Sequence, residues 1–220
     1  MVESVPWSTA IRRAEEKFHH TKIWILIQVV GKNYWNTRAE DREPGVRAYK
    51  DTHEHFRNQT KIVRETLIRE LGLRRSDIQL HTYIHADGEE GTLPVEFKAL
   101  RKTFVEVDDL RMDLQEEGKT CMIVVLVDGH GETRARTALV MNTSKNSDRR
   151  LFDIEKYVRG FASGNNTCFV AANFNCCRAE GSAASITHTL GGEESVGNLM
   201  LKFTVQPGQL ADATKSEAQL

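Results

Sequence analysis

Two continuous apolar runs constrain this chain more than any other feature, because each ends at once in residues able to do chemistry. Cys121 to Val127 is apolar throughout and empties into Asp128-Gly129-His130-Gly131-Glu132. Cys168 to Phe174 is broken only by Asn173 and leads into Asn175-Cys176-Cys177-Arg178, with Gly181 close behind. Runs of this kind read as strands buried on both faces, the pattern of parallel sheet. Open α/β sheets carry their chemistry just beyond the carboxyl ends of such strands. A histidine at one strand end and a cysteine at another could then face each other across a crevice.

The rest of the chain supplies the layers around those strands. Lys22 to Val30 is rich in β-branched residues and predicts a first strand. Gly31 to Gly45 reads as a loop. A helix is expected from Val46, with Phe56, Val63, Leu67 and Leu71 at seven- and four-residue steps and Gly72 at its C-terminal cap. Ile78 to Ile84 alternates and predicts a half-exposed strand. After a turn at 87–91, Pro94 suits a first helical position, and Phe97, Leu100, Phe104, Val107, Leu110 and Leu114 continue a helical face to Gly118. A short strand is expected at Thr137 to Met141, then a loop from Asn142 to Arg150. A helix follows with Asp153 near its start and Ile154, Tyr157, Val158 and Phe161 on one side. Residues 179–200 follow neither period and read as a mobile loop, before a short strand at Leu201 to Val205. This order predicts an α/β/α sandwich with a mainly parallel central sheet and helices on both faces. The expected organisation is an arm or short helix over 1–21, one catalytic domain over 22–210 and a polar tail over 211–220.

Composition narrows the function classes. A formal net charge of −1 over 220 residues gives no electrostatic case for nucleic acid, and Arg74-Arg75 and Arg149-Arg150 read as solvated faces. No apolar run approaches the roughly 20 residues that cross a bilayer, and the N-terminal stretch has no signal-peptide core, so no membrane partner is expected. The four cysteines, Cys121, Cys168, Cys176 and Cys177, contain no CxxC knuckle and argue against zinc. They fit reduced thiols in the cytoplasm. His53 and His55 fall on different helical faces and make a poor metal pair. His81 and His85, around the end of the Ile78 strand, read as exposed.

Among the thiols, the nucleophile must be exposed at a strand end, because a buried thiol is inert. Cys177 meets that need, whereas Cys176, one residue earlier, is expected to point into the core. A neighbouring imidazole can serve as base and then as acid to the leaving group. Glycines on both sides of His130 keep bulk away. The amides of Gly131 and Cys177 could hold an oxyanion, an effect worth roughly 3–4 kcal/mol. Glu132, beside the histidine, is a candidate to orient it.

Here the sequence resembles a family. Val125-Leu-Val-Asp-Gly-His-Gly131 looks like the tyrosine-serine-glycine-histidine-glycine signature of metacaspases and their caspase-like relatives. Asn175-Cys-Cys-Arg178 resembles their nucleophile signature, in which aspartate precedes serine-cysteine or cysteine-cysteine. His130 and Cys177 are 47 positions apart, close to the spacing of roughly 50 in caspases. Val29-Val-Gly-Lys-Asn-Tyr34 is similar to the family's first strand and its exit, and Gly45 to Asp51 to the entry of its first helix. Gln206-Pro-Gly-Gln209 faintly resembles the start of the small-subunit region.

The resemblance covers about residues 22–212. It implies a cysteine endopeptidase acting on a protein or peptide, with His130 as base and acid, Cys177 as nucleophile and the Gly131 and Cys177 amides as oxyanion hole. It also implies a pocket for a basic residue lined by Asp51, Asp128 and Asn175. Two of these depart from the family pattern: asparagine replaces aspartate at 175, and aspartate replaces serine at 128, so one carboxylate is kept but moved. The sequence itself requires no cofactor; calcium is implied by the resemblance alone, with acidic turns such as Asp87 to Glu90 as candidate ligands. Because no Lys or Arg lies between Ala179 and Leu201, a basic pocket predicts no self-cleavage there. Mass spectrometry finding a cut in that interval that vanishes in Cys177→Ala would contradict the pocket. The rival reading is an inactive caspase-like pseudopeptidase serving as a binding or regulatory module. A nucleotide-binding domain is disfavoured by the lack of a GxGxxG or P-loop pattern.

Overall fold

Ile23–Val30 (β1) and Cys121–Gly129 (β3) are buried at every residue, as strands covered on both faces must be. The computed structural model describes residues 11–12, 15–16, 20–31, 48–86, 89–129, 131–133, 136–141, 150–163, 167–176, 194–196 and 198–203. Its remaining elements are α1 (Ala48–Glu70), β2 (Gln79–His85), α2 (Phe97–Glu116), β4 (Gly131–Thr133), β5 (Thr137–Met141), β6 (Arg150–Phe152), α3 (Ile154–Ala162), β7 (Cys168–Cys176), β8 (Glu194–Val196) and β9 (Leu199–Phe203). The main sheet runs β2-β1-β3-β7-β9-β8. Every pairing in it is parallel except β8 with β9. A second, antiparallel sheet, β4-β5-β6, follows β3 in the chain. The chain is thus an α/β sandwich around a mainly parallel sheet with helices on both faces.

Strand alternation sorts the core into two layers. Ile25, Ile27, Ile123, Val125, Val170, Ala172 and Phe174 face α2 and α3, meeting Leu100, Phe104, Val107, Val158 and Phe161. Trp24, Leu26, Val124, Leu126 and Ala171 face α1, meeting Val63, Leu67, Ile68 and Leu71. Phe104 stacks on Phe161 with centroids 5.6 Å apart and contacts Phe152 at the same separation, which fixes α3 against α2. Such ring pairs add about 0.5–1.5 kcal/mol each beyond burial. Ile11 is buried in the α1 layer and Arg12 donates to the Glu70 carbonyl, so this part of the N-terminal segment packs on the body.

The helix ends follow local chemistry. Gly72, at φ +63°, closes α1: its amide donates to Arg69 and that of Leu73 to Ile68, the paired bonds of a left-handed glycine cap. Asp153 caps α3 by accepting from the Lys156 amide. Glu155, buried at the start of α3, accepts from the Thr137 amide and from Arg159, tying α3 to β5.

Four expectations need correction. Pro94 does not open a helix: α2 starts at Phe97. Leu93 instead forms a parallel bridge with His85, its amide donating to Ile84, and proline's fixed φ suits extended chain as well as a first helical turn. His85 is fully buried rather than exposed, because it continues the Tyr83 side of β2 toward α2, where its Nδ1 meets the Pro94 carbonyl and its Nε2 the Thr103 hydroxyl. Arg150 belongs to strand β6 rather than to the preceding loop. The stretch expected as a loop over 179–200 contains β8 and the first residues of β9, whose pairing supplies the order that periodicity did not signal; residues 177–193 lie outside the described residues.

Candidate active site

β3 and β7 are neighbours, and their register carries through Asp128 opposite Asn175 to Gly129 opposite Cys176. Both strands therefore leave the sheet at one level on its carboxyl edge. β1 ends beside them, where the Gly31 amide donates to the Asp128 carbonyl at 2.6 Å. Gly129, at φ +148°, lies so close to that crossing that a Cβ on it would stand 2.8 Å from the Gly31 Cα.

The α1 face of this edge holds a buried polar cluster. Asp128 Oδ1 accepts from Asn175 Nδ2 at 2.5 Å, and Oδ2 accepts from Thr60 Oγ1 at 3.1 Å. The Thr60 carbonyl accepts from Gln28 Nε2 at 2.7 Å, and Gln28 Oε1 accepts from Arg64 Nη1 at 2.9 Å. Arg64 reaches Glu89 at the rim, 3.4 Å away. Thr60, Asn175, Arg64 and Asp128 are 1%, 5%, 6% and 8% exposed. In so dry a setting an unpaired polar group would cost several kcal/mol, so the members hold one another's positions. Gln28, Thr60 and Arg64 were not singled out from the sequence. Gln28 carried a signal, being the one polar residue in Ile23–Val30. Thr60 and Arg64 are four apart on the helical stripe that continues through Val63 and Leu67.

Burial pushes the Asp128 carboxyl up to about 6, against the lowering effect of the Asn175 and Thr60 hydrogen bonds. Below pH 4 this group is protonated both folded and unfolded and carries no penalty. Between pH 4 and 6 the unfolded chain ionises while the fold retains the proton, so stability falls. Above pH 6 the full penalty is present. The shift from 3.8 to about 6 corresponds to about 3 kcal/mol. Denaturant unfolding of wild type and Asp128→Asn at pH 4 and pH 7 is expected to shift in favour of the asparagine chain by about that amount at the higher pH. A difference that does not change with pH would show that the carboxylate is not held in a dry site.

His130 and Cys177 lie outside the described residues. Asp51 is in α1, with its side chain outside them. Gly131 is buried, opening β4 opposite Leu139. Cys176 is buried in the layer facing α2 and α3, on the opposite side of the sheet from Asn175. Cys121 and Cys168 are register partners at the amino ends of β3 and β7. Hydrogen bonding to Cys121 and burial hold the Cys168 thiol well above its usual range, while that bond lowers Cys121. Both are buried, far along their strands from the carboxyl edge.

Among the described residues no group of three or more His, Cys, Asp or Glu could hold a metal. Of the acidic turn considered for calcium, Asp87 and Gly88 lie outside the described residues and Glu89 pairs with Arg64. No helix among the described residues is long and apolar enough to cross a membrane. No family model matches the chain, and no curated protein is found to be similar to it.

Proposed function

We propose that this chain is a caspase-like cysteine endopeptidase, a hydrolase with a Cys177-His130 dyad that cleaves proteins or peptides after basic residues. The register of β3 against β7 supports this reading above all, since the residues just before positions 130 and 177 are cross-strand partners at the carboxyl edge. Alternation adds to it. Asp128 and Asn175, each two positions before a member of the proposed dyad in the chain, share the α1 face and are joined there by a hydrogen bond. Cys176 belongs to the opposite, filled side.

The reaction divides into two half-steps. His130 takes the Sγ proton as the thiolate attacks the scissile carbonyl carbon, and the amides of Gly131 and Cys177 hold the oxyanion. Collapse breaks the C–N bond, His130 gives its proton to the departing amine, and a thioester remains. Water, deprotonated by His130, attacks that thioester; the C–S bond breaks, leaving a free carboxylate and the restored thiol. The basic preference draws on Asp51; the buried Asp128 carboxyl, both of whose oxygens already accept from Asn175 and Thr60, does not grip the substrate directly. Cytoplasmic residence, expected from the thiols, is part of the same proposal.

Rates of labelling by iodoacetamide test the dyad without a substrate. Cys177 is expected to react at least about tenfold faster than the buried cysteines, and His130→Ala to remove that advantage. Slow, uniform labelling would instead indicate an inert caspase-like module that acts by binding.

A further inference from the structure

We propose that Thr60, Asp128 and Asn175 form a buried clamp holding the carboxyl ends of β3 and β7 to α1, with Asp128 a positioning residue for the reactive pair rather than a carboxylate that grips substrate. The clamp deepens the endopeptidase reading and rests on it for the reactive pair, while its own contacts are independent of that reading. Each Asp128 oxygen already has a donor inside the protein, Asn175 on one and Thr60 on the other. A guanidinium fork needs both oxygens accessible, and this side chain is nearly sealed.

Position explains the placement. Asp128 and Asn175 are direct cross-strand partners one step before the last pair of the ladder, where strand ends would otherwise splay. The Asp128 carbonyl also accepts from Gly31, so one residue ties the exits of β1, β3 and β7 to the helix. Thr60 is held in turn through its carbonyl by Gln28, which Arg64 fixes from the next turn of α1. Asp128 and Asn175, the two positions that depart from the resembled family, form one complementary pair: one carboxylate, one amide. An acceptor opposite a donor works in either order.

The test compares Cys177 labelling and thermal unfolding in wild type, Asp128→Asn, Asn175→Asp and the double exchange. Asn175→Asp sets two carboxylates against each other and is expected to slow labelling at least about tenfold and lower the melting temperature. Asp128→Asn, with one acceptor oxygen for two donors, is expected to label about threefold more slowly than wild type, while its melting at neutral pH also gains from removal of the buried charge. In the double exchange the amide now on β3 donates to the carboxylate now on β7 while its own oxygen accepts from Thr60. That chain is expected to restore labelling to within about threefold of wild type and to recover the melting temperature lost in Asn175→Asp. It keeps the total charge and puts the carboxylate on the strand that leads to Cys177, so a purely electrostatic effect of Asn175→Asp would persist in it. Thr60→Val, which removes one donor with little change of shape, is expected to slow labelling about threefold and covers the case in which Asn175→Asp fails to fold.

A double exchange as slow as Asn175→Asp would overturn the clamp. So would unchanged labelling in every variant together with a raised KM for arginine peptides in Asp128→Asn. If wild-type Cys177 labels no faster than Cys176, the endopeptidase reading fails and thermal unfolding alone judges the clamp. Loss in Asn175→Asp and recovery in the double exchange then support it, and equal melting throughout refutes it.

Discussion

Cys177→Ala is expected to abolish peptide-bond cleavage, and His130→Ala to lower kcat/KM by at least about 10³-fold. In the proposed reaction the first change removes the atom that becomes covalently bound, which would leave only the small contribution of substrate binding and the oxyanion donors. The second leaves the thiol in place without a base to ionise it or an acid for the leaving amine. Their combination should cost little more than either alone if the proposed pair acts as one unit. Cys176→Ala is the informative companion. Its side chain fills the layer facing α2 and α3 beside Phe174, so its loss should lower stability and leave turnover per folded molecule intact. Turnover that survives Cys177→Ala but disappears in Cys176→Ala would reverse the assignment of the nucleophile. A panel of peptides differing only before the scissile bond completes the measurement: preference there for aspartate or for apolar residues contradicts the basic pocket.

Much of the sandwich was legible because its signals are long. β1, β3 and β7 are mainly apolar strands of eight or nine residues, and α1 and α2 repeat apolar residues over several turns, so period and length agree. The three-residue strands β4, β6 and β8 are too short to display a period, and only pairing makes them strands. His85 was misjudged because an alternating edge strand suggests one wet face, whereas α2 and the 93–95 segment cover the end of β2. The candidate site divides in the same manner. Asp128 and Asn175 stood out at their strand ends, but their partner Thr60 is 68 residues from Asp128 in the chain, and its hydroxyl looks like any other on a helix until the layers close. Gln28 was the missed clue. A buried amide in the middle of an aliphatic strand must have a partner on the facing helix, and that requirement alone points to a polar position on α1.

Gly129→Ala is expected to destabilise the fold by about 4 kcal/mol, from backbone strain of roughly 1–3 kcal/mol and overpacking of similar size. The strain arises because φ at this residue is +148°, a conformation that side-chain-bearing L residues rarely adopt. The overpacking arises because the new methyl would meet backbone, 2.8 Å from the Gly31 Cα and 3.0 Å from its nitrogen, with the Leu139 side chain 3.4 Å away on another side. A flexible side chain could swing clear, but Gly31 is held by its own bond to the Asp128 carbonyl. Relief therefore requires β1 and β3 to separate at the edge where the clamp sits. In a chain of this length the loss should lower the melting temperature by roughly 8–16 °C. Gly160→Ala is the control: it sits in α3 with open space around the added methyl, and alanine is the better helix former, so the melting temperature should hold or rise. If Gly129→Ala melts within a degree or two of wild type, β1 and β3 do not cross as tightly as described. A variant that folds at low temperature but labels Cys177 slowly would show that this crossing, as well as the clamp, sets the geometry of the two strand exits.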